Sequence, residues 1–489
     1  MSVPRPAAVI VLAAGEGSRM KSKTPKVLHE LCGRALVDHV LTAARGLDPG
    51  RLLVVVGHER ERVRAHLAGS SPDVETVVQE EQRGTGHAVR IVLEQAGPLG
   101  SKPAEAGVGR TVLVTYGDTP LLTAETLAAL LRMHETDGNA VTVLTAVVPD
   151  PTGYGRIIRD TTGAVLEIVE EKDATPSQRA VREMNSGTYA FDGALLADAV
   201  KRVSTDNAQG EEYLTDVLSI LRGDGHRVGA CVADDYVDVE GVNDRVQLAF
   251  ARGVLNSRLL ERHMRDGVTV VDPSSTWVDV GVTLEPDVVI HPGTQLHGRT
   301  SVASGAEIGP ATTLTDTEVG MGAIVRNTVA DGAVIGPEAA VGPYSYLRPG
   351  TVLGRKAKAG AYVEMKNAQV GEGSKVPHLT YVGDATIGVG ANIGASTIFV
   401  NYDGVEKHHT TVGDHAFVGC DTMLVAPVTI GDGAYTAAGS TITDEVPPGA
   451  IGVARGRQRN IEGWVTRRRA GTASAEAALK ARAEQVEEQ

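Results

Sequence analysis

A glycine-rich segment follows the first apolar run of the chain. The stretch from Val9 to Ala14 leads into Gly15-Glu16-Gly17-Ser18-Arg19-Met20, and Pro25-Lys26 follow shortly afterwards. Glycines after a first strand let backbone N–H groups approach phosphate oxygens, and Arg and Lys side chains neutralise the phosphate charge. Glycines alone would also suit an ordinary strand-to-helix turn. Their combination with Arg19 and Lys26 predicts a phosphate-binding loop.

This loop is the first of a series of motifs. The string Leu12-Ala13-Ala14-Gly15-x-Gly17-Ser18-Arg19-Met20 closely resembles the signature of the sugar nucleotidylyltransferases. The later motifs are Gln79, Gln82-Arg83-Gly84-Thr85-Gly86-His87-Ala88, Tyr116-Gly117-Asp118-Thr119-Pro120, Gly153-Tyr154-Gly155-Arg156, Val169-Glu170-Glu171-Lys172-Asp173, Asn185-Ser186-Gly187 and Val239-Glu240-Gly241-Val242-Asn243. Together they resemble the bacterial bifunctional N-acetylglucosamine-1-phosphate uridylyltransferase/glucosamine-1-phosphate N-acetyltransferase family. The resemblance covers residues 7–465.

The resemblance implies an N-terminal reaction that transfers UMP from UTP to N-acetylglucosamine-1-phosphate and releases pyrophosphate. A sugar-phosphate oxygen attacks the α-phosphorus directly, so positioning and charge neutralisation supply the catalysis. It also implies that Asp118 and Asn243 hold Mg²⁺, which prefers oxygen ligands, and that Arg19 and Lys26 act as catalytic cations. The residues implied to bind UTP and the UDP-sugar are Leu12, Ala13, Ala14, Gly15, Lys26, Gln79, Gly84, Thr85, Tyr116, Gly117, Asp118, Gly155, Glu170, Asn185 and Asn243.

Within that set the resemblance separates a base end from a sugar end. Gln79, Gly84 and Thr85 are expected to meet the uracil, and Gly155, Glu170 and Asn185 the N-acetylglucosamine. Glu170 has a plain alternative, because it stands in an acidic run that could simply be solvated.

A second group of motifs begins at residue 347. It consists of Leu347-Arg348-Pro349-Gly350, Val363-Glu364-Met365-Lys366, His378-Leu379-Thr380-Tyr381, Asn392-Ile393-Gly394-Ala395 and Asn401-Tyr402-Asp403-Gly404. These strings resemble the acetyltransferase half of the same family, which implies acetylation of glucosamine-1-phosphate by acetyl-CoA. Amide formation from a thioester needs a base for the amine and donors for the oxyanion. His378 is the predicted catalytic base, with Glu364 orienting its ring.

The other C-terminal roles are likewise implied by the resemblance. Glucosamine-1-phosphate is expected at Arg348, Lys366, Tyr381 and Asn392, and acetyl-CoA at Ala395, Asn401, Tyr402, Cys420, Ala438 and Arg455. Cys420 is a departure, since the family usually has serine there and a thiol is a weaker donor. It leaves open a Cys420 nucleophile paired with His378. His408, His409 and His415 leave open a zinc site, although a surface loop is the simpler interpretation.

Apolar runs predict the elements that position the first site. AAVIVLAAG, RLLVVVG, TVLVTYGD and AVTVLTAVV are continuous apolar runs with turn residues behind them, as in parallel strands covered by helices on both faces. Tyr116-Gly117-Asp118 then follows a strand end, where α/β sheets present their ligands. From Arg245 to Asp266 the pattern becomes an amphipathic helix, whose predicted apolar face comprises Val246, Phe250, Leu255, Leu259 and Leu260.

After Gly267 aliphatic residues recur every six positions. They are Leu284, Ile290, Leu296, Val302, Ile308, Leu314, then Val329, Ile335, Val341, Leu347, Leu353, and later Val412, Val418, Leu424, Ile430. Repetition over roughly 150 residues predicts a hexapeptide parallel β-helix with these side chains stacked inside. Such a prism explains why the chain has 57 glycines and only 3% aromatic residues. The period slips after Leu353, Val382 and Phe399, and such breaks mark loops that carry sites.

The predicted architecture is a Rossmann-like α/β nucleotidylyltransferase domain with a mostly parallel sheet, followed by an all-β left-handed parallel β-helix. The predicted bounds are 1–244 for the uridylyltransferase (pyrophosphorylase) domain, 245–267 for a linker helix, 268–469 for the acetyltransferase domain and 470–489 for a tail. That tail is rich in Ala and Glu without a clear apolar stripe, so it is predicted to be disordered or loosely helical.

Composition excludes several other classes. A net charge of −14 argues against general binding to nucleic acid or anionic membranes. Apolar stretches all fall short of the roughly 18 residues that a membrane span needs. The first apolar run lacks a cleavage signature, and three scattered cysteines fit a reducing compartment, so a cytoplasmic protein is expected. A homotrimer is implied by the resemblance.

The sequence is compatible with three functions. One is the bifunctional enzyme, which makes UDP-N-acetylglucosamine for cell-envelope synthesis. Another is a monofunctional nucleotidylyltransferase with a structural or regulatory β-helix, and the third is a trimerising scaffold without activity. His378, Asn401-Tyr402 and the Arg348/Lys366 pair favour the first, because a purely structural prism has no use for them.

Overall fold

A computed structural model describes residues 4–97, 99–100 and 110–487. The chain divides into two compact units, Met1–Asp316 and Thr317–Gln489. This division falls inside the predicted β-helix, because the first coils of that helix pack with the N-terminal residues.

The first unit contains a nine-stranded sheet. Its strands in chain order are β1 Ala8–Ala13, β2 Leu52–Val56, β3 Glu75–Val78, β4 Thr111–Tyr116, β5 Val141–Val147, β6 Arg156–Arg159, β7 Val165–Val169, β8 Glu183–Asp192 and β9 Val228–Val232. The main path runs β9-β5-β8-β4-β1-β2-β3, and β6 pairs with β7 and β8. Only β8 runs antiparallel along that path, so the sheet is mostly parallel, as predicted.

Both faces of this sheet are covered. In β1, Ile10 and Leu12 face one hydrophobic core while Val9 and Val11 face the other, and all four are buried. The continuous apolar runs of the sequence therefore follow from strands without a solvent face. The helices of the unit are Leu36–Arg45, Arg60–Ser70, Thr85–Ala96, Ala124–Asp137, Pro176–Arg179, Gly193–Ala199, Asp216–Gly223 and Arg245–Arg265. A hairpin pairs Glu30–Leu31 with Arg34–Ala35.

Helix Arg245–Arg265 buries a different face from the predicted one. Leu259 and Leu260 are buried as expected, but Val246 and Phe250 are 79% and 51% exposed. Leu248 and Ala251 take their place, packed with Met20, Leu31, Leu36, Leu121 and Val242. Arg245 donates from Nε to the Met20 carbonyl at 3.2 Å, which fixes the roll of the first turn. The apolar period alone could not choose between two neighbouring faces.

The same helix holds the first coils of the β-helix. Buried Asn256 donates from Nδ2 to the Thr276 carbonyl at 2.8 Å and accepts from the Val278 N–H at 2.9 Å. The short coil strands of this unit are Thr269–Val270, Trp277–Val278, Thr283–Leu284, Val289–Ile290, Gln295–His297, Ser301–Val302, Glu307–Ile308 and Thr313–Thr315.

The second unit is a left-handed parallel β-helix. Its strands are Glu318–Val319, Ile324–Val325, Thr328–Asp331, Val334–Ile335, Ala340–Val341, Ser345–Leu347, Val352–Leu353, Lys358–Ala361, Glu364–Val370, Lys375–His378, Tyr381–Ile387, Asn392–Ile393, Ile398–Val400, Thr410–Val412, Phe417–Val418, Met423–Val425, Val428–Ile430, Tyr435–Thr436, Thr441–Ile442 and Ile451–Gly452. Ile335, Leu347 and Leu424 are buried as the hexads predicted. Val329 is an exception at 49% exposure, because Thr328 and Ala330 point inward instead.

The C-terminal residues form helices Trp464–Arg468 and Ala473–Glu487. The prediction of disorder for 470–489 is therefore wrong for the described residues, whereas the helical alternative agrees with the structure. Alanine and glutamate are strong helix formers, so intrinsic propensity explains a helix without an apolar stripe. Within the described residues, every helix is too short or too polar to span a membrane.

Candidate active sites

A cavity of about 470 Å³ opens in the first unit, where β1 and β4 end. Fourteen of the fifteen residues predicted to bind nucleotide line it, and so does Arg19; Gly117 is the exception. Gly117 lies beside the wall, where its N–H donates to the Leu12 carbonyl at 2.9 Å. Motifs scattered over more than two hundred positions thus meet because parallel strands share one edge.

Positive and oxygen-bearing side chains meet at one end of this cavity. Lys26 Nζ contacts Asp118 Oδ2 and lies 3.1 Å from Asn243 Oδ1, and Arg19 Nη2 lies 2.8 Å from the same Asn243 oxygen. The Lys26 and Asp118 side chains are each only 15% exposed. Short 3₁₀ turns at Ser18–Met20 and Lys26–Leu28 hold the two cations.

The same end has oxygen donors for a cation. Asp118 and Asn243 direct one oxygen each at the single charge of Lys26, so their oxygens already converge. Among the described residues no group of three or more His, Cys, Asp or Glu gathers as a metal site. Two oxygens fit Mg²⁺, which usually takes one or two protein ligands and completes its shell with phosphate oxygens and water.

A buried amide lies at the end of the cavity that is predicted to bind the uracil. Gln79, 4% exposed, donates from Nε2 to the Gly84 carbonyl at 3.1 Å. Gly84 has a φ of +106°, and an added Cβ would lie 2.5 Å from the Glu212 carbonyl oxygen. Thr85 accepts the Leu214 N–H at 3.1 Å through Oγ1. These contacts fix the backbone around Gly84 and Thr85, and an added side chain at Gly84 would clash with it.

The end of the cavity predicted to bind the sugar is formed by β8 and the loops beside it. Asn185 donates from Nδ2 to the Tyr189 hydroxyl at 2.7 Å, and its Oδ1 accepts the Gly187 N–H at 2.9 Å. Glu170 is half-buried, and burial, reinforced by Asp173, raises the pKa of its carboxyl. Glu170 is therefore not simply a solvated residue of an acidic run. Sequence reasoning missed Glu211 and assigned no role to Tyr154, although both line this cavity.

Gly187→Ala is expected to damage this cavity. The residue has a φ of +79°, and a Cβ would lie 2.0 Å from Tyr116 Cε2. We expect a loss of about 2–4 kcal/mol in stability, seen as a lower thermal midpoint, together with reduced UMP transfer. Gly163→Ala is the matched control, because Gly163 has a φ of +87° and no atom within 4 Å. Equal effects of the two changes would contradict the steric explanation.

The second unit brings most of the residues predicted for the acetyltransferase site together on adjacent coils. Glu364 pairs in register with Tyr381, and Lys366 with Gly383. Asn392 pairs with Lys375 on one side and Phe417 on the other. Arg455 lies beyond the last strand and is exposed.

Three cations gather around the predicted sugar-phosphate site. The Lys407 ammonium lies against Lys366 and lowers the pKa of that lysine, and Arg348 adds to the effect. Such repulsion is offset when an anion binds between the charges. Sequence reasoning missed Lys407, because no local signal marks it and a chain reversal, in which Tyr402 pairs with Lys407, brings it to Lys366. Asp403 shapes that loop by accepting from His408 and from the Glu406 and Val405 N–H groups, which lower the pKa of its carboxyl.

Glu364 has a different partner from the predicted one. Its Oε1 accepts from Arg348 Nη1 at 3.0 Å. The register sets His378 opposite Ala361, three positions before Glu364. Among the described residues no side chain hydrogen-bonds the His378 ring, which is exposed. Orientation of His378 by Glu364 therefore stays a prediction.

The residues predicted for acetyl-CoA include a column of three. The Asp421 N–H donates to the Ala395 carbonyl at 2.7 Å, and the Gly439 N–H donates to the Cys420 carbonyl at 2.9 Å. Ala395, Cys420 and Ala438 thus lie on successive coils. The structure therefore brings these three predicted residues together along one side of the prism.

Two chemical alternatives lose support in this unit. His378 lies one coil before Ala395, so the coil of Ala395 separates it from Cys420, with the two backbones roughly 10 Å apart. A nucleophilic Cys420 activated by His378 needs hydrogen-bond reach, which this spacing does not give. For zinc, His408 contacts Asp403 while His409 contacts Thr386 at 3.0 Å, so their rings have separate partners.

Comparison with known proteins agrees with both sites. The MobA-like NTP transferase domain family matches residues 9–182, and the bacterial transferase hexapeptide family (six repeats) matches residues 409–444. "Bifunctional protein GlmU" of Streptomyces coelicolor is 66% identical over 479 residues, 98% of each chain. Proteins of the same name from Thermobifida fusca and Nocardia farcinica are 62% and 56% identical, over 100% and 98% of this chain and 100% and 96% of theirs. Because both halves match over full length, the chain belongs to the GlmU family and is a bifunctional uridylyltransferase and acetyltransferase.

Proposed function

We propose that the two sites act in sequence on one sugar phosphate. The second unit acetylates glucosamine-1-phosphate with acetyl-CoA, and the first unit then joins the product to UMP from UTP, releasing pyrophosphate. The observation that best supports the proposal is that cations gather at a candidate phosphate site in each unit, two in the first and three in the second, in a chain whose net charge is −14. The product, UDP-N-acetylglucosamine, would serve cell-envelope synthesis.

In the uridylyl reaction the chain positions two polyanions for direct attack. Arg19 and Lys26 neutralise the triphosphate, and Gln79, Gly84 and Thr85 receive the uracil. Asn185 and Glu170 hold the N-acetylglucosamine so that its phosphate oxygen faces the α-phosphorus. The half-buried Glu170 carboxyl can bond a sugar hydroxyl or amide. Bringing both reactants together in this orientation lowers the entropic part of the barrier.

Asp118 and Asn243 are proposed to hold Mg²⁺. When bound, the ion neutralises phosphate charge that develops as pyrophosphate leaves. Lys26, which contacts both oxygens in the protein alone, would turn toward the phosphates when the ion is present. The convergence of the two oxygens supports this assignment.

In the acetyl reaction His378 accepts a proton from the amine of glucosamine-1-phosphate. The amine nitrogen bonds to the thioester carbonyl carbon, the C–S bond breaks, and the proton passes to the departing coenzyme A sulfur. Arg348 and Lys366 hold the sugar phosphate, while Tyr381 and Asn392 contact the sugar. Asn401, Tyr402, Ala395, Cys420, Ala438 and Arg455 are proposed to contact acetyl-CoA.

Lys407 is expected to contribute to the phosphate site. We expect Lys407→Ala to raise the KM for glucosamine-1-phosphate roughly tenfold, because one charge-assisted contact to phosphate is lost. The KM for acetyl-CoA should change little. Lys480→Ala serves as a control, since this exposed lysine lies in the C-terminal helix. An unchanged KM for the sugar phosphate would remove Lys407 from the site.

A homotrimer and a cytoplasmic location complete the proposal. Flat faces of a β-helix offer broad surfaces for packing with further copies. All three cysteines are free, which fits a reducing compartment. Sedimentation of the purified chain tests the trimer.

The proposal is tested by two assays on the unaltered protein. Glucosamine-1-phosphate should stimulate thiol release from acetyl-CoA, and N-acetylglucosamine-1-phosphate should stimulate pyrophosphate release from UTP with Mg²⁺. Exchanging the two sugar phosphates should give little product in either assay. Equal use of both sugars at one site would contradict the proposed order.

A further inference from the structure

Asp384 lies where the two proposed substrates of the acetyl reaction meet. An added Cβ on neighbouring Gly383 would lie 2.4 Å from the Tyr381 hydroxyl oxygen and 2.7 Å from Asn401 Nδ2. Both side-chain tips therefore crowd over the same glycine. Tyr381 belongs to the proposed sugar set and Asn401 to the acetyl-CoA set. The bond between amine and thioester would form close to this point.

The Asp384 carboxylate has two amide partners here. Its Oδ1 accepts from Asn367 Nδ2 at 2.7 Å, and its Oδ2 accepts from Asn401 Nδ2. Asn401 is 7% exposed, so its amide has little freedom. The Asn401 carbonyl also accepts the His408 N–H at 2.8 Å, which links this residue to the loop of Lys407.

The chemistry of the carboxylate determines which way the Asn401 amide points. An ionised carboxylate can only accept hydrogen bonds, so Asn401 must turn its NH₂ toward Asp384. Its Oδ1 then faces away, and it has no hydrogen-bond partner among the described residues. An oxygen held in that orientation can accept an N–H of the attacking amine and align the nitrogen lone pair with the thioester carbon.

Asp384 also faces the cations of the phosphate site. Burial opposes ionisation of its carboxyl, but the hydrogen bonds from Asn367 and Asn401 and then the charges of Lys366 and Lys407 hold its pKa below the ordinary value. A negative charge at this place weakens the attraction between the lysines and a phosphate. It therefore reduces sugar-phosphate affinity while its hydrogen bonds orient Asn401.

We propose that Asp384 is a positioning residue of the acetyl-transfer site, which fixes the Asn401 amide with Oδ1 toward the substrate amine. The inference rests on the proposed function of this site. Asp384 touches neither substrate and acts through Asn401. Removing its charge should therefore lower kcat without raising the KM for the sugar phosphate.

The test is the steady-state kinetics of acetyl transfer by Asp384→Asn. We expect kcat to fall on the order of 10-fold to 100-fold, because the Asn401 amide is no longer held in one orientation. The KM for glucosamine-1-phosphate should stay the same or fall, because a negative charge beside two lysines is gone. Asp316→Asn is the matched control. Asp316 has a φ of 45°, close to the 50° of Asp384, and its side chain accepts the Arg299 N–H at 2.8 Å. Its coil holds none of the proposed site residues.

A double substitution separates positioning from simple loss of structure. If Asp384 acts through Asn401, Asp384→Asn combined with Asn401→Ala should lose no more than Asn401→Ala alone. Additive losses would overturn the proposal, and so would an unchanged kcat or a raised sugar-phosphate KM in Asp384→Asn. Uridylyl transfer by the same samples reports that the chain is folded. Failure of the proposed function would look different, because the unaltered protein would then show no acetyl transfer.

Discussion

Asp118→Ala is expected to abolish pyrophosphate release from UTP while thiol release from acetyl-CoA continues. Asp118 Oδ2 and Asn243 Oδ1 converge on one positive charge, and the change removes the only carboxylate of that pair. It also leaves Lys26, 15% exposed, without its counter-charge. Loss of one such electrostatic contact at a phosphoryl centre lowers kcat at least about 100-fold. The measurement is initial-rate pyrophosphate release at saturating UTP and Mg²⁺.

Asp118→Asn provides the companion to this change. Asp118→Asn keeps the side-chain shape and an oxygen but removes the charge. Its loss of uridylyl transfer therefore reports the effect of the charge apart from the effect of packing. We expect a large loss here as well, with a smaller change in thermal midpoint than for Asp118→Ala, because a buried ion pair broken by truncation is costly. Uridylyl transfer near the unaltered rate in Asp118→Asn would show that the carboxylate does not hold the cation.

His378→Ala is expected to have the opposite selectivity. Removal of a general base typically lowers a rate by about 10²-fold to 10⁴-fold, so acetyl transfer should nearly cease while uridylyl transfer continues. The His378 ring is exposed and its backbone carbonyl accepts from Thr380 Oγ1 at 2.6 Å, so truncation leaves the coil intact. An unchanged thermal midpoint should accompany the loss.

His415→Ala is the matched control for this prediction. His415 is another histidine of the same β-helix and lies outside the proposed site. Its φ of 54° means that alanine at this position strains the backbone at least as much as alanine at position 378. We expect its acetyl transfer to stay close to that of the unaltered protein. If His378→Ala kept a normal kcat with glucosamine-1-phosphate, another group would have to take the amine proton.

The sequence predicted those features that depend on local pattern. Strands such as Ala8–Ala13 were predictable because both faces are buried, which leaves an unbroken apolar run. The nucleotide cavity was predictable because its motifs follow strand ends, and parallel strands present their ends at one edge. Inward positions such as Ile335 and Leu424 were predictable because a hexad allows one register.

Features that depend on partners from other parts of the chain were not predictable. Phe250 and Leu248 both fit an apolar stripe, and packing with distant residues such as Met20 leaves Leu248 buried and Phe250 exposed. Glu364 pairs with Arg348 because coil register places them side by side. Lys407 and Asp384 escaped notice because neither belongs to a recognisable motif, yet stacking places them beside Lys366 and Asn401.

If one chain carries two independent reactions linked by a shared sugar phosphate, two variants that each lack one reaction should complement each other. The experiment mixes Asp118→Ala with His378→Ala and supplies glucosamine-1-phosphate, acetyl-CoA, UTP and Mg²⁺. We predict that neither variant alone makes UDP-N-acetylglucosamine, whereas the mixture does, because His378→Ala can uridylylate the sugar that Asp118→Ala has acetylated. A mixture that made no nucleotide sugar, with both variants folded, would contradict the two-site account.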